Sequence, residues 1–162
     1  MDDRNYQFFL QRMNKFSDVG LRIVAYCLMP NHFHFLVRQD EPRTLSSFLG
    51  LLCKSYVMAF NKCFGRSGHL FEGKYKLKHV DHEEYLQYLS RYIHLNPVRA
   101  HLVKKAEDWL YSSCREYYGL RKKGIVCTEL VLSDFGSIEE YKKFMETNDL
   151  KEDDTFSRYL IQ

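Results

Sequence analysis

Two histidines separated by one residue stand in the run Met29-Pro30-Asn31-His32-Phe33-His34-Phe35-Leu36-Val37. Imidazole nitrogens ligate metals and carry protons. The residues after the Pro-Asn turn signal are aromatic and aliphatic, as in a strand. Alternate strand residues share a face, so His32 and His34 project together with about 7 Å between their Cα atoms. Phe33, Phe35 and Val37 then point the other way, into a core. Two imidazoles so placed are a start to a metal site. Two half-exposed histidines on an ordinary strand have the same spacing. A mononuclear site needs a third protein ligand. Cys27, Cys53, Cys63, Cys114 and Cys127 are scattered, without a CxxC pair, and offer no zinc set.

A third ligand can come from farther along. Tyr92 and Asn96 are four residues apart on a predicted helix and therefore share a face. The Asn96 amide can give a carbonyl oxygen to a metal. Two imidazoles and one amide oxygen leave positions for water and phosphate oxygens, which suits Mg²⁺ or Mn²⁺ acting on a phosphodiester. Tyr92 would bring a hydroxyl beside that metal. Against this, Tyr85, Tyr88, Leu89 and Tyr92 follow helical spacing, and amphipathic packing alone would account for them.

The elements that must position these residues read as follows. Residues 5–16 form a helix with Phe9, Met13 and Phe16 on one side. Residues 21–29 and 32–38 are strands of a hairpin. A long helix runs over 44–62, with Leu45, Phe48, Leu49, Leu52, Tyr56 and Phe60 along one side. Gly65-Arg66-Ser67-Gly68 ends it, and 69–80 read as a strand with Lys74, Lys76 and Lys78 on one face. Asp81 and Glu84 have capping-box spacing for a helix that Pro97 should end or kink near Asn96. Helices follow over 111–119, 128–135 and 138–147, with a basic turn at Arg121-Lys122-Lys123 and a capping box of Ser137 with Glu140.

The 162 residues favour one domain, and 15% aromatic content suits a folded globule. No apolar run has the length of a membrane span, and the first residues lack the order of a signal peptide. An intracellular protein with reduced thiols is the expectation. Residues 62–123 hold 13 Lys and Arg against 7 Asp and Glu, a net of +6. Residues 124–162 hold 4 against 9, a net of −5. The basic part could attract a polyanion such as DNA, or be an ordinary solvated surface.

AYCLMPNHFHFLV, followed about sixty residues later by RYIHLNPVRAHLV, resembles the single-tyrosine HUH transposase family. GRSGHLFEGKYK and WLYSSCREYYG look like its REP-associated branch. The resemblance implies a single-stranded DNA endonuclease and strand-transferase of the prokaryotic cytoplasm, acting on hairpin-forming DNA. It implies His32 and His34 as metal ligands, Tyr92 as nucleophile and Asn96 as third ligand, with Mg²⁺ or Mn²⁺. DNA would lie across the histidine face, with Lys74, Lys76, Lys78, Arg91 and Arg99 as phosphate contacts. His94, turned about 200° from Tyr92 on a helix, reads as a surface or packing residue.

The implied fold is α+β: a ferredoxin-like or RRM-like antiparallel sheet with helices on one face. Its first strand is apparently missing here. The catalytic domain would span 1–103, a helical extension 104–147 and a polar tail 148–162. The extension could order the catalytic helix or contact DNA, and another chain or this segment could fill the missing strand's place. The chain would be a monomer or homodimer. A truncated or domesticated descendant that binds hairpin DNA without cutting it is the alternative. An amidohydrolase would also use His-x-His but needs a barrel of roughly 250 residues.

Overall fold

A computed structural model describes residues 2–17, 20–121 and 124–147. Its elements are α1 (Asp3–Phe16), β1 (Leu21–Leu28), β2 (Phe33–Gln39), α2 (Thr44–Cys63), α3 (Leu86–Arg99), α4 (Cys114–Tyr117), α5 (Glu129–Leu132) and α6 (Ile138–Glu146). The class is α+β, and among the described residues the sheet is the two-stranded antiparallel pair β1-β2. The polar tail over 148–162 lies outside the described residues. The chain divides into two compact units, Met1–Ile23 with Val37–Tyr75 and Val24–Leu36 with Lys76–Gln162.

In the first unit Asp2 caps α1, accepting from the Asn5 N–H at 2.9 Å. Tyr6, Phe9 and Met13 form its buried stripe. α2 buries Leu45, Phe48, Leu49, Leu52 and Tyr56, and Phe9 meets Tyr56 edge-on with ring centres 5.1 Å apart. Each such side chain, fully buried, contributes about 1.5–3 kcal/mol.

The strand expected over 69–80 does not form; residues 65–82 carry no helix or strand. Gly65, Gly68 and Gly73 all take positive φ, at 61°, 90° and 66°. Gly73 thus breaks the extended run at its centre. Tyr75 and Leu77, which would have been the strand's buried side, are 45% and 63% exposed. Alternation therefore does not put Lys74, Lys76 and Lys78 on one face.

The core of the second unit gathers Val24, Ala25, Cys27 and Met29 from the hairpin with Leu36, Leu89, Ile93, Tyr117, Val131 and Tyr141. Leu36 has the parity of His32 and His34, so the histidine side of β2 is the side that enters this core. Phe33 and Phe35, expected inside, stay half-buried and pack on each other at 4.9 Å. Covering the histidine side is what brings α3 to the histidines.

The capping box at Asp81 and Glu84 is not used. A 3₁₀ turn over Glu83–Tyr85 leads into α3, and neither start has a side-chain cap. Pro97 does not stop the helix. It lies buried in the last turn, and α3 continues to Arg99. Proline removes only its own N–H bond, and the turn closes through Ala100 N–H to the Asn96 carbonyl at 2.9 Å. His101 N–H to Val98 O and Leu102 N–H to Pro97 O complete a Schellman ending. His101 occupies its left-handed position at φ 56°, where glycine is usual.

Residues 111–113, expected to be helical, run along the edge of β1 instead. Leu28 N–H donates to Tyr111 O at 2.9 Å, Ser113 N–H donates to Tyr26 O at 3.0 Å, and Cys27 bridges antiparallel to Ser112. Backbone groups spent on that edge cannot serve a helix, so α4 begins only at Cys114. Trp109 Nε1 donates to Leu28 O at 3.0 Å. At α6 the Ser137 hydroxyl accepts from Glu140 N–H, and the Glu140 carboxylate accepts from Gly136 N–H. The cap expected there is present, with the carboxylate reaching one residue further back.

Candidate active site

His32, at the mouth of the hairpin, is exposed; His34, two residues into β2, is half-buried. Met29 N–H donates to His32 O at 2.8 Å and closes the turn, which fixes the backbone beneath both rings. The rings meet edge to face with centres 4.8 Å apart. Their Nε2 atoms stand 3.1 Å apart. His32 Nδ1 lies 2.7 Å from Asn31 Oδ1. Donating there, His32 keeps its proton on Nδ1 and turns an Nε2 lone pair toward His34. Asn31 therefore orients the ring, a role the sequence offered only as a turn residue.

Burial lowers the affinity of both rings for a proton. His34 is pushed down to about 4, by desolvation first and then by the neighbouring His32. His32 is lowered by desolvation. Both imidazoles are consequently neutral at pH 7, the state in which a ring nitrogen binds a metal.

Tyr92, half-buried on α3, packs its ring against His34 with centres 6.0 Å apart at 82°. Asn96 sits one turn later and donates from its Nδ2 to Tyr92 O at 2.8 Å, which leaves the amide oxygen as its other polar end. Arg99 completes the row, with its guanidinium 4.8 Å from the centre of the Tyr92 ring. Because α3 runs on through Pro97, Arg99 is seven residues after Tyr92 within one helix and shares its face.

Several observations bear on whether a metal fits. Two neutral Nε2 atoms about 3 Å apart match the separation of neighbouring nitrogen ligands on one ion with bonds of about 2.0–2.1 Å. At 3.1 Å one ring can donate an Nε2–H to the other, and a cation would take the place of that proton. Among the described residues no group of three or more His, Cys, Asp or Glu could hold a metal. Two imidazoles without a third such group would leave most positions of a metal open, as in an open site rather than a closed one.

Arg91, expected at phosphates, is not available to them. It is 2% exposed; its guanidinium donates to the Met145 and Thr147 carbonyls and lies over the Phe144 ring at 5.3 Å. It lies one residue from Tyr92, about 100° round the helix, and so faces α6. Lys74, Lys76 and Lys78 are exposed in the irregular 65–82 segment.

His94 is fully buried. Its Nδ1 is 3.0 Å from Tyr141 Oη and its Nε2 2.8 Å from Ser113 Oγ. Ser113 Oγ in turn accepts from Tyr26 N–H at 2.9 Å, and Tyr141 Oη reaches Ser90 Oγ at 3.2 Å. Burial holds His94 neutral, its proton affinity pushed down to about 3. This chain links α3 to β1 and α6 from the side opposite Tyr92. Ser90 and His94, four residues apart among apolar neighbours, were the only signal of it in the sequence.

A cleft of about 450 Å³ opens at the start of α3. Glu83, Glu84, Glu129 and Asp134 line it, so it repels a phosphate backbone. No helix among the described residues is long and apolar enough to cross a membrane. A family model described as transposase, IS200-like, matches residues 5–96, a span that takes in His32, His34, Tyr92 and Asn96. No curated protein and no solved structure matches the chain.

Proposed function

The chain belongs to the IS200-like transposase family, whose activity is DNA transposition, and from that premise we propose that it cuts and rejoins single-stranded DNA through Tyr92. His32, His34 and Asn96 hold a divalent cation, Mg²⁺ or Mn²⁺. When bound, that cation neutralises charge on the phosphate and polarises a non-bridging oxygen. The substrate is hairpin-forming single-stranded DNA. The observation that carries the reading is the meeting of His34 with Tyr92 at 6.0 Å, while the two histidine Nε2 atoms converge to 3.1 Å.

An ordinary phenol is protonated at neutral pH, so attack on phosphorus must release a proton. His34 packs against the ring edge to face and the Arg99 guanidinium lies over it, so these two neighbours limit how the phenol turns. The Tyr92 Oη–P bond forms as the P–O3′ bond breaks, leaving a 5′-phosphotyrosine and a free 3′-hydroxyl. A 3′-hydroxyl can later attack the same phosphorus and release Tyr92. The phosphotyrosine conserves the bond energy, so rejoining needs no ATP.

A labelled hairpin oligonucleotide from the chain's genomic flanks, incubated with Mg²⁺ or Mn²⁺ and run on a denaturing gel, tests this. The expected result is a labelled protein adduct that EDTA and Tyr92→Phe both abolish. The two-stranded sheet, with irregular chain where a strand was expected, favours a second reading: a descendant that binds hairpin DNA without cutting it. Retained hairpin binding with no adduct would support that reading and overturn the first.

A further inference from the structure

We propose that Arg99 is a catalytic residue, the cation that stabilises the five-coordinate phosphorus formed at Tyr92, and not a general tether for the DNA backbone. The assignment rests on the strand-transferase reading above and names a residue that acts at its reacting atoms. Three observations carry it. The guanidinium lies 4.8 Å from the centre of the Tyr92 ring. α3 passes through Pro97 without ending, which puts Arg99 on the face of Tyr92 and Asn96. Arg99 is exposed and has no carboxylate partner among the described residues, whereas Arg22 pairs with Asp40 and Arg121 with Glu116. Among the described residues no carboxylate competes with an anion that arrives beside the ring.

The chemistry needs a group there. As Tyr92 Oη bonds to phosphorus, charge gathers on the non-bridging oxygens while the phenolic proton leaves to solvent. The 3′-oxygen departs with the bonding electrons and takes up a proton. A guanidinium exchanges no proton in such a step and acts through its charge and N–H groups. A planar fork stacked on the nucleophile's ring can give two N–H groups to the phosphate that the ring attacks. Resealing passes through the same five-coordinate species in reverse. A group that stabilises that species must speed cleavage and resealing equally and leave the balance between them alone. A DNA tether would change affinity instead, and a residue that merely shapes α3 would change stability.

The test is single-turnover kinetics of the full chain on a labelled hairpin oligonucleotide with Mn²⁺. Adduct formation is followed in one arm, and release of purified adduct by an added 3′-hydroxyl strand in the other. Arg99→Gln should slow both by a similar factor, on the order of 10²–10³. The equilibrium ratio of adduct to intact strand should stay within about twofold, and DNA affinity within about threefold. Arg99→Lys, which keeps the charge and loses the fork, should recover part of both rates. Thermal denaturation of each variant monitors folding. Unchanged rates, a loss confined to affinity, or unequal loss in the two directions would overturn the assignment. A parent protein that forms no Tyr92-dependent adduct would overturn the transferase reading itself, and this assignment with it.

Discussion

The two sides of α3 are both polar and do opposite work. One presents Tyr92 against His34, with Asn96 and Arg99 following Tyr92 on the same face. The other sends Ser90, Arg91 and His94 inward, where each finds partners on α6 or on residues 111–113. The inner groups hold the helix, and the outer ones are spaced by how it is held. Polarity on a helix therefore does not distinguish an open candidate site from a satisfied interior. Burial and the hydrogen-bond partners do.

The sharpest way to break that contrast is at His94. His94→Phe keeps the bulk but removes one partner each from Tyr141 Oη and Ser113 Oγ, which keep Ser90 and the Tyr26 backbone. Unfolding in urea should show a loss of about 1–3 kcal/mol, since two buried hydrogen bonds are lost. Arg99→Ala on the outer side should stay within about 0.5 kcal/mol of the parent. Equal losses for the two variants would erase the distinction.

Arg91 tests it next. Arg91→Met should destabilise by about 1.5–3 kcal/mol, because a charged donor to two carbonyls is lost. The salt dependence of DNA binding should be unaffected. A fall of about 0.7 in the log–log salt slope of single-strand binding would return Arg91 to the phosphates, as first expected.

A pH titration probes the inner side without mutation. His94 has a folded proton affinity pushed down to about 3, against an ordinary value of 6.5. Between those values the unfolded chain binds the proton and the folded one does not. Stability is then complete above about pH 6.5 and falls with acid by up to roughly 1.4 kcal/mol per pH unit. His32 and His34, also lowered, act in the same direction. Glu116, raised by burial, acts in the opposite direction. Tyr141, Ser113 and the Tyr117 ring are the groups that face His94. His94→Gln should flatten the acid limb measured by urea midpoints from pH 7 to 5. An unchanged slope would mean the imidazole is not the group that titrates.

What the sequence made legible follows from range. The hairpin, α1, α2 and the cap of α6 depend on local periodicity and turn chemistry, and all were readable. Tyr92 and Asn96 were readable as neighbours on one helix. Arg91 was misjudged because nothing local says that α6 covers it. The course of α3 through Pro97 depends on a turn closed by Asn96 and Val98 carbonyls, a tertiary outcome that proline statistics oppose. The histidine side of β2 entered the core through Leu36, contrary to the alternation argument, because α3 covers that side.

The lysine segment gives the smallest expected effect and the finest version of the contrast. Residues 65–82 have a strand's alternation, yet Gly73 at φ 66° and exposed Tyr75 and Leu77 deny them a sheet. Lys74 and Lys78 are exposed there, with no sheet to give them a common face toward a phosphate backbone. Lys78→Ala should leave the urea midpoint unchanged, within about 0.5 kcal/mol. It should reduce the log–log salt slope of single-strand binding by about 0.7, the share of one neutralised phosphate. Lys74→Ala should do the same by the same amount, because no shared face makes one lysine privileged. A large loss at one position and none at the other would mean that the segment docks in one register on DNA. Its strand-like alternation would then describe the bound state, although the free chain does not use it.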